Sequence, residues 1–113
     1  MVRVAHRPDL ALQISQRLIA VEIELGHKPR GRLLGTLQMY REFCDGDDAP
    51  FSGVIYITNR SHVDDRLRRL ADDAALDGSL VSFRRLEDII EQTYTAARDR
   101  AANRRPVDGE PAR

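Results

Sequence analysis

Near the start of the chain apolar and polar positions alternate through two segments, and the spacing then changes to that of a helix. Leu10-Ala11-Leu12-Gln13-Ile14 alternates apolar with small or polar residues, the pattern of a half-buried strand. Ile19-Ala20-Val21-Glu22-Ile23-Glu24-Leu25 alternates more strictly, with β-branched residues on the face expected to be buried. Only Ser15, Gln16 and their neighbours separate the two segments, so they read as an antiparallel hairpin. With Ile14 opposite Arg17, Leu12 meets Ile19, Leu10 meets Val21 and Asp9 meets Glu22. This register sets apolar residues against apolar ones, as burial of one face demands.

Pro29 is placed as an early helical residue, and Leu33, Leu34, Leu37, Tyr40 and Cys44 recur at helical spacing through about Phe43. Gly31 and Gly35 are costly inside a helix and are expected to mark close packing against the sheet. Asp45 to Pro50 is an acidic, turn-rich loop. The continuous apolar run Val54 to Thr58 predicts an interior strand covered on both faces. Val63, Leu67, Leu70, Ala71 and Ala74 outline an amphipathic helix that Gly78 is placed to end. Leu80 to Phe83 predicts a further strand, and Leu86, Ile89, Ile90, Thr93 and Ala97 a last helix. Beyond Arg98 the chain turns polar, with two prolines. The expected fold class is α/β: a mixed sheet with an N-terminal β-hairpin and flanking helices, in the order β-β-α-β-α-β-α. One domain is expected over residues 1–98 and a disordered polar tail over 99–113, with a short extra strand at Val2 to Ala5.

Composition narrows this in three ways. A chain of 113 residues, 42% of them apolar, supports one aliphatic core and no second domain. No apolar run is long enough to cross a membrane, no start resembles a signal peptide, and the lone Cys44 excludes an internal disulfide. A cytoplasmic location is therefore expected. Eighteen basic residues balance eighteen acidic ones, so nucleic acid would have to be held by a local patch rather than by overall charge. Lys28 is the only lysine among many arginines, a bias typical of GC-rich bacterial coding, and its retention is slightly informative.

The candidate chemistry lies on the hairpin. Asp9, Glu22 and Glu24 are expected to share one face, where like charges are unfavourable unless something neutralises them. Mg²⁺ or Mn²⁺ held by Asp9, Glu22 and Glu24 would do so, polarising a phosphoryl oxygen and activating a bound water. Lys28 is placed to stabilise transition-state charge. The alternative is a solvated strand face, with Arg7 opposite Glu24 as a cross-strand ion pair and Lys28 snorkelling at a helix start. His27 reads as an exposed loop residue, although its imidazole is within reach of a metal site. His6 and His62 have no constellation of their own. Tyr40 reads as core and Cys44 as helix-end packing. Arg30, Arg32 and Arg41 near Lys28 are candidates for tracking a phosphate backbone, while Arg66, Arg68 and Arg69 lie among aspartates and read as a solvated helix face.

His6-Arg7-Pro8-Asp9, then Val21-Glu22-Ile23-Glu24-Leu25 and Lys28, resembles the PD-(D/E)XK nuclease motif. More narrowly, Arg-Pro-Asp-Leu, then Ala-Val-Glu-Ile-Glu-Leu-Gly-His-Lys and a helix reaching Tyr40, looks like replication-relaxation proteins of bacterial plasmids and other mobile elements. The strand Gly53 to Thr58 and the segment Leu86-Glu87-Asp88 fit the same pattern, so the resemblance spans about Arg7 to Ile90. It implies a restriction-endonuclease-like core and a metal-dependent endonuclease acting on DNA, with catalytic Asp9, Glu22, Glu24 and Lys28. Glu24 stands where the motif has its lysine, so Lys28 serves only if that role has migrated. A preceding acidic helix and a winged-helix region belong to the family pattern and are not found before Asp9, which implies a shortened relative. Two further readings follow: a catalytically inactive DNA-binding domain on the same fold, or an interaction module whose missing portion is supplied by a homo-oligomer or a partner chain.

Overall fold

The computed structural model describes residues 6–26 and 28–103. Its elements are β1 (Leu10–Ile14), β2 (Arg17–Glu24), α1 (Arg30–Phe43), β3 (Gly53–Thr58), α2 (Ser61–Asp73), β4 (Val81–Arg85) and α3 (Leu86–Asn103). The α/β class and the element order are as expected. The strand predicted at Val2 to Ala5 lies outside the described residues, as do His27 and residues 104–113.

One four-stranded sheet runs in the order β1-β2-β3-β4. β1 and β2 are antiparallel, and β2-β3 and β3-β4 are parallel. The hairpin pairs Leu10 with Val21, Leu12 with Ile19 and Ile14 with Arg17, the register expected from the alternation. Its two-residue turn closes without glycine because Ser15 itself takes the left-handed conformation, at φ 56°. Two successive crossovers carry the chain one way across the sheet, so their common right hand sets α1 and α2 on the same face. Leu33, Leu37 and Tyr40 of α1 and Val63, Leu67 and Leu70 of α2 share one core there with Ala20, Val54, Tyr56 and Val81. Gly53 opens β3 where a Cβ would stand 3.0 Å from the Leu80 carbonyl oxygen, a close approach that favours glycine.

The helix-covered face of the sheet is not the one expected. Along β2 it is Ala20, Glu22 and Glu24 that share a face with Val54, Tyr56 and Thr58 of β3. Glu22 and Glu24 are each only 3% exposed. Ile19, Val21 and Ile23 point the other way, beside Leu10, Leu12 and Ile14 of β1 and Ile55 and Ile57 of β3. No helix lies over this second face among the described residues. Leu10, Leu12 and Ile14 remain 54%, 44% and 56% exposed, and Ile23 and Leu25 are exposed as well. Among the described residues strand β3 is thus interior in the sheet but covered by helices on one face only, with Ile55 and Ile57 half-buried on the other, which corrects the expectation of a doubly covered strand.

The helices depart from expectation in three places, one in packing and two at their ends. Gly31 and Gly35 are exposed, and a Cβ at either would meet nothing within 4 Å, so they do not mark close packing. Helix α2 ends before Gly78: the Ala75 amide donates to Asp72 and the Leu76 amide to Ala71, with Ala75 left-handed at φ 56°. This is a Schellman termination with alanine in the position glycine usually takes. Helix α3 follows Arg85 with no intervening residue and runs to Asn103, five residues past the expected limit at Arg98. None of its residues is buried.

Because a Cβ in the left-handed region costs about 1–2 kcal/mol, Ala75→Gly is expected to raise stability by about 1 kcal/mol. Urea unfolding should show a higher midpoint at unchanged slope.

Candidate functional site

The carboxyl ends of β2, β3 and β4 align in rows across the helix-covered face. One row runs Glu22, Tyr56, Phe83 and the next Glu24, Thr58, Arg85. The N-termini of α1 and α2 rise from the same end of the sheet, so their unpaired amides bias it toward negative charge. In open parallel sheets this is also the end at which ligands bind.

Glu22 sits beneath α1. The Tyr40 hydroxyl donates to its Oε1, and His6 Nε2 donates to the same oxygen at 2.6 Å. Tyr40 is fully buried and edge-on to His6, Phe51 and Tyr56, with ring centroids 6.2–6.4 Å apart. Burial, then the bond to Glu22 and that carboxylate's charge, push the Tyr40 phenol far above its ordinary range. It is therefore held as a donor. Tyr56 is pushed up in the same way, by burial first and then by the charges of Glu22, Glu24 and Asp9. Its hydroxyl and that of Thr58 are buried with no hydrogen-bond partner among the described residues, as are Asp64 Oδ1 and Arg85 Nε.

Glu24 is matched differently. Lys28 Nζ lies 3.0 Å from its Oε2, reaching back from just before α1 to a carboxylate that is nearly inaccessible to water. Asp9 is exposed, and its Oδ2 accepts the Ile23 amide at 2.7 Å, the peptide between the two glutamates. The three carboxylates and Lys28 are thus neighbours, but each is engaged separately. Among the described residues no three His, Cys, Asp or Glu side chains stand where they could share a metal ion. With Glu22 held by two protein donors and Glu24 by an ammonium, the trio as arranged does not fit Mg²⁺ or Mn²⁺, which require several oxygens converging on one point.

Burial overturns the reading of Glu22 and Glu24 as a solvated strand face, and it is Lys28 rather than Arg7 that pairs with Glu24. His6, read as isolated, is a Glu22 partner; its place three residues ahead of Asp9 was the available signal. Tyr40 is core, as expected, and also a polar donor. Cys44 packs at the end of α1, also as expected. Thr58, beside Glu24, and Arg85, one strand further along the same row, were missed because their places depend on a register between distant strands. Of the arginines on α1, Arg30 pairs with Asp73 at 3.0 Å. Arg41 lies on the same side of the helix about three turns on, whereas Arg32 is about 200° round from Arg30, so the three do not form one stripe.

A second cleft, of about 680 Å³, opens between α2, β4 and α3. Arg68, Arg84 and Arg85 line it together with Asp64, Asp88 and Glu91, and Arg68 lies 4.8 Å over the Phe83 ring. Its charges are mixed, and it is separate from the hairpin carboxylates. Comparison of the chain with protein-family models, with curated proteins and with solved structures finds no match.

Tyr40→Phe removes a donor from a buried carboxylate and is expected to cost about 1–3 kcal/mol, read from urea unfolding. Because Tyr40 and Tyr56 favour the protonated form when folded, their contribution is complete below the unfolded phenol value near 10 and is lost as pH rises above it. In a Tyr94→Phe background, tyrosinate absorbance should emerge together with loss of far-UV dichroism rather than ahead of it.

Proposed function

We propose that the chain is a non-cleaving accessory domain on a PD-(D/E)XK-like core, serving the DNA machinery of a mobile element by docking to a protein surface. The observation that carries this reading is the engagement of Glu22 by Tyr40 and His6. A carboxylate enclosed and bonded in this way is built into the core and is not presented to a substrate. The mixed sheet, the hairpin register that brings Asp9 up to Glu22 and Glu24, and the approach of Lys28 support the relation to the nuclease core. Where catalysis would need open carboxylates, this chain has closed ones. What it offers instead is an aliphatic sheet face that no helix covers among the described residues, with Leu10, Leu12, Ile14 and Ile23 exposed on it.

A second reading, a metal-dependent nuclease with a migrated lysine, is favoured by one observation. Lys28 Nζ stands against Glu24, as a lysine acting at that carboxylate would. For this to operate, Tyr40 and His6 would have to release Glu22, and a metal would take their place.

Nicking of supercoiled plasmid with Mg²⁺ or Mn²⁺ decides between the two. The intact protein is expected to leave the plasmid uncut, and DNA binding should be absent at physiological salt. Metal-dependent cutting that disappears in both Glu24→Gln and Lys28→Ala would overturn the docking reading and establish the nuclease. Salt-sensitive DNA binding lost in Arg32→Ala or Arg41→Ala would also count against a purely protein-docking role.

A further inference from the structure

We infer that the occupant of the open sheet face is a second copy of this chain, its α3 laid across the strands in a reciprocal pair. This names the partner of the docking surface and so rests on the reading above.

The face is built from Leu10, Leu12 and Ile14 of β1, Ile19, Val21 and Ile23 of β2 and Ile55 and Ile57 of β3; Val21 in its middle is buried, Ile19, Ile55 and Ile57 are half-buried, and the exposed part is Leu10, Leu12, Ile14 and Ile23. With the exposures these side chains retain, it presents on the order of 500 Å² of aliphatic surface, concentrated on β1 and the end of β2, near the upper end of what a monomer leaves to water. Its far edge is polar, where Ser82 and Arg84 of β4 continue the same face.

The chain carries a matching element. The polar side of α3, with Asp88, Gln92 and Thr95, lines the cleft against α2 and β4. The opposite side presents Ile90, Tyr94, Ala97 and Ala101, spaced by three or four residues as one stripe. Ile90 and Tyr94 are 59% and 66% exposed. From Ile90 to Ala101 the stripe is about 16 Å long at the rise of a helix. A five-residue strand spans about the same, and three strands at their usual spacing are about as wide as one helix. One α3 therefore fits one open face in length and in width.

The chain's own α3 cannot supply that cover. Arg85 passes directly into Leu86, so no connecting residues allow the helix to turn back over the sheet it has just left. The elongated form, 59 Å in its longest dimension against 22 Å in its shortest, fits a helix carried outward. Area then chooses between ways of pairing. Two open faces stacked directly would bury about 1,000 Å² in total, the lower limit for a specific interface. Two reciprocal seats, each burying a sheet face and a helix stripe, bury on the order of 1,500 Å², the standard size for a stable pair. The exchange also satisfies two-fold symmetry, since each copy gives the element it receives.

Sedimentation equilibrium of the intact chain tests this, together with Leu12→Asp on the face and Tyr94→Asp on the helix, both exposed positions whose folding far-UV dichroism checks. The intact chain is expected to be a dimer at micromolar concentration, and each variant to dissociate at least about tenfold more readily. An equimolar mixture of the two variants keeps one undamaged seat, so it should dimerise more tightly than either alone. A mixture no tighter than the separate variants would overturn the reciprocal arrangement. An intact chain that is monomeric but binds an environment-sensitive apolar dye, lost in Leu12→Asp, would overturn the second copy while leaving the docking reading in place. A monomer binding no dye would overturn both.

Discussion

The structure depends on the choice of which side of β2 goes under the helices. Side chains of a strand alternate, so admitting Glu22 and Glu24 to the covered face sends Ile19, Val21 and Ile23 to the other. One decision thus produces both features of the chain: a buried polar row at the carboxyl ends of the strands, and an aliphatic face with no helix over it among the described residues. A one-residue change of phase would exchange them. The phase is held by the hairpin register on one side and by the parallel pairing with β3 on the other.

What makes the polar choice tolerable is the set of partners collected from three separate places in the chain. A carboxylate taken out of water costs several kcal/mol unless its charge is met and its lone pairs are bonded. Glu22 is met by the His6 ring from ahead of the hairpin and by the Tyr40 hydroxyl from the third turn of α1. Glu24 is met by Lys28 at the entry to that helix. Helix α1 therefore does two jobs on one surface: its leucines close the core over Ala20 and Val54, and its tyrosine and the lysine before it compensate the charges beside them. The hydroxyls of Tyr56 and Thr58 beside the glutamates stay unpaired among the described residues, and burial together with the surrounding acidic groups keeps Tyr56 protonated.

The sequence made the periodicities legible but not their facing. Alternation along Leu10–Ile14 and Ile19–Leu25 was enough to place both strands and to pair them residue for residue, because pairing depends only on which residues match. Facing depends on what lies over each side. The rule that aliphatic residues go inward pointed the wrong way here because the compensating groups, His6 and Tyr40, lie 16 and 18 residues from Glu22. Of the site, the nearness of Asp9, Glu22, Glu24 and Lys28 could be read from the motif-like spacing. The separate engagement of each carboxylate could not, and neither could Thr58 and Arg85, which enter only through the parallel register. At α2, glycine was the expected stop signal, and the chain stopped earlier at Ala75 because the Schellman bonds and the seat of Leu76 in the core outweigh one strained alanine.

The energetic consequence of this facing reaches beyond the single chain. Complete burial of a leucine or isoleucine stabilises by about 1.5–3 kcal/mol, so leaving Leu10, Leu12, Ile14 and Ile23 near half exposed forgoes several kcal/mol. That is a substantial fraction of the 5–15 kcal/mol that keeps a typical domain folded. The same stabilisation cannot be recovered by turning the strand over, since that would bring Glu22 and Glu24 away from Tyr40, His6 and Lys28 and leave those donors facing aliphatic carbon. It can be recovered only by bringing apolar surface to the open face from elsewhere. The polar row inside the domain and the apolar surface outside it are therefore one design: the partners that fix the carboxylates beneath α1 also fix the aliphatic residues where another molecule can reach them.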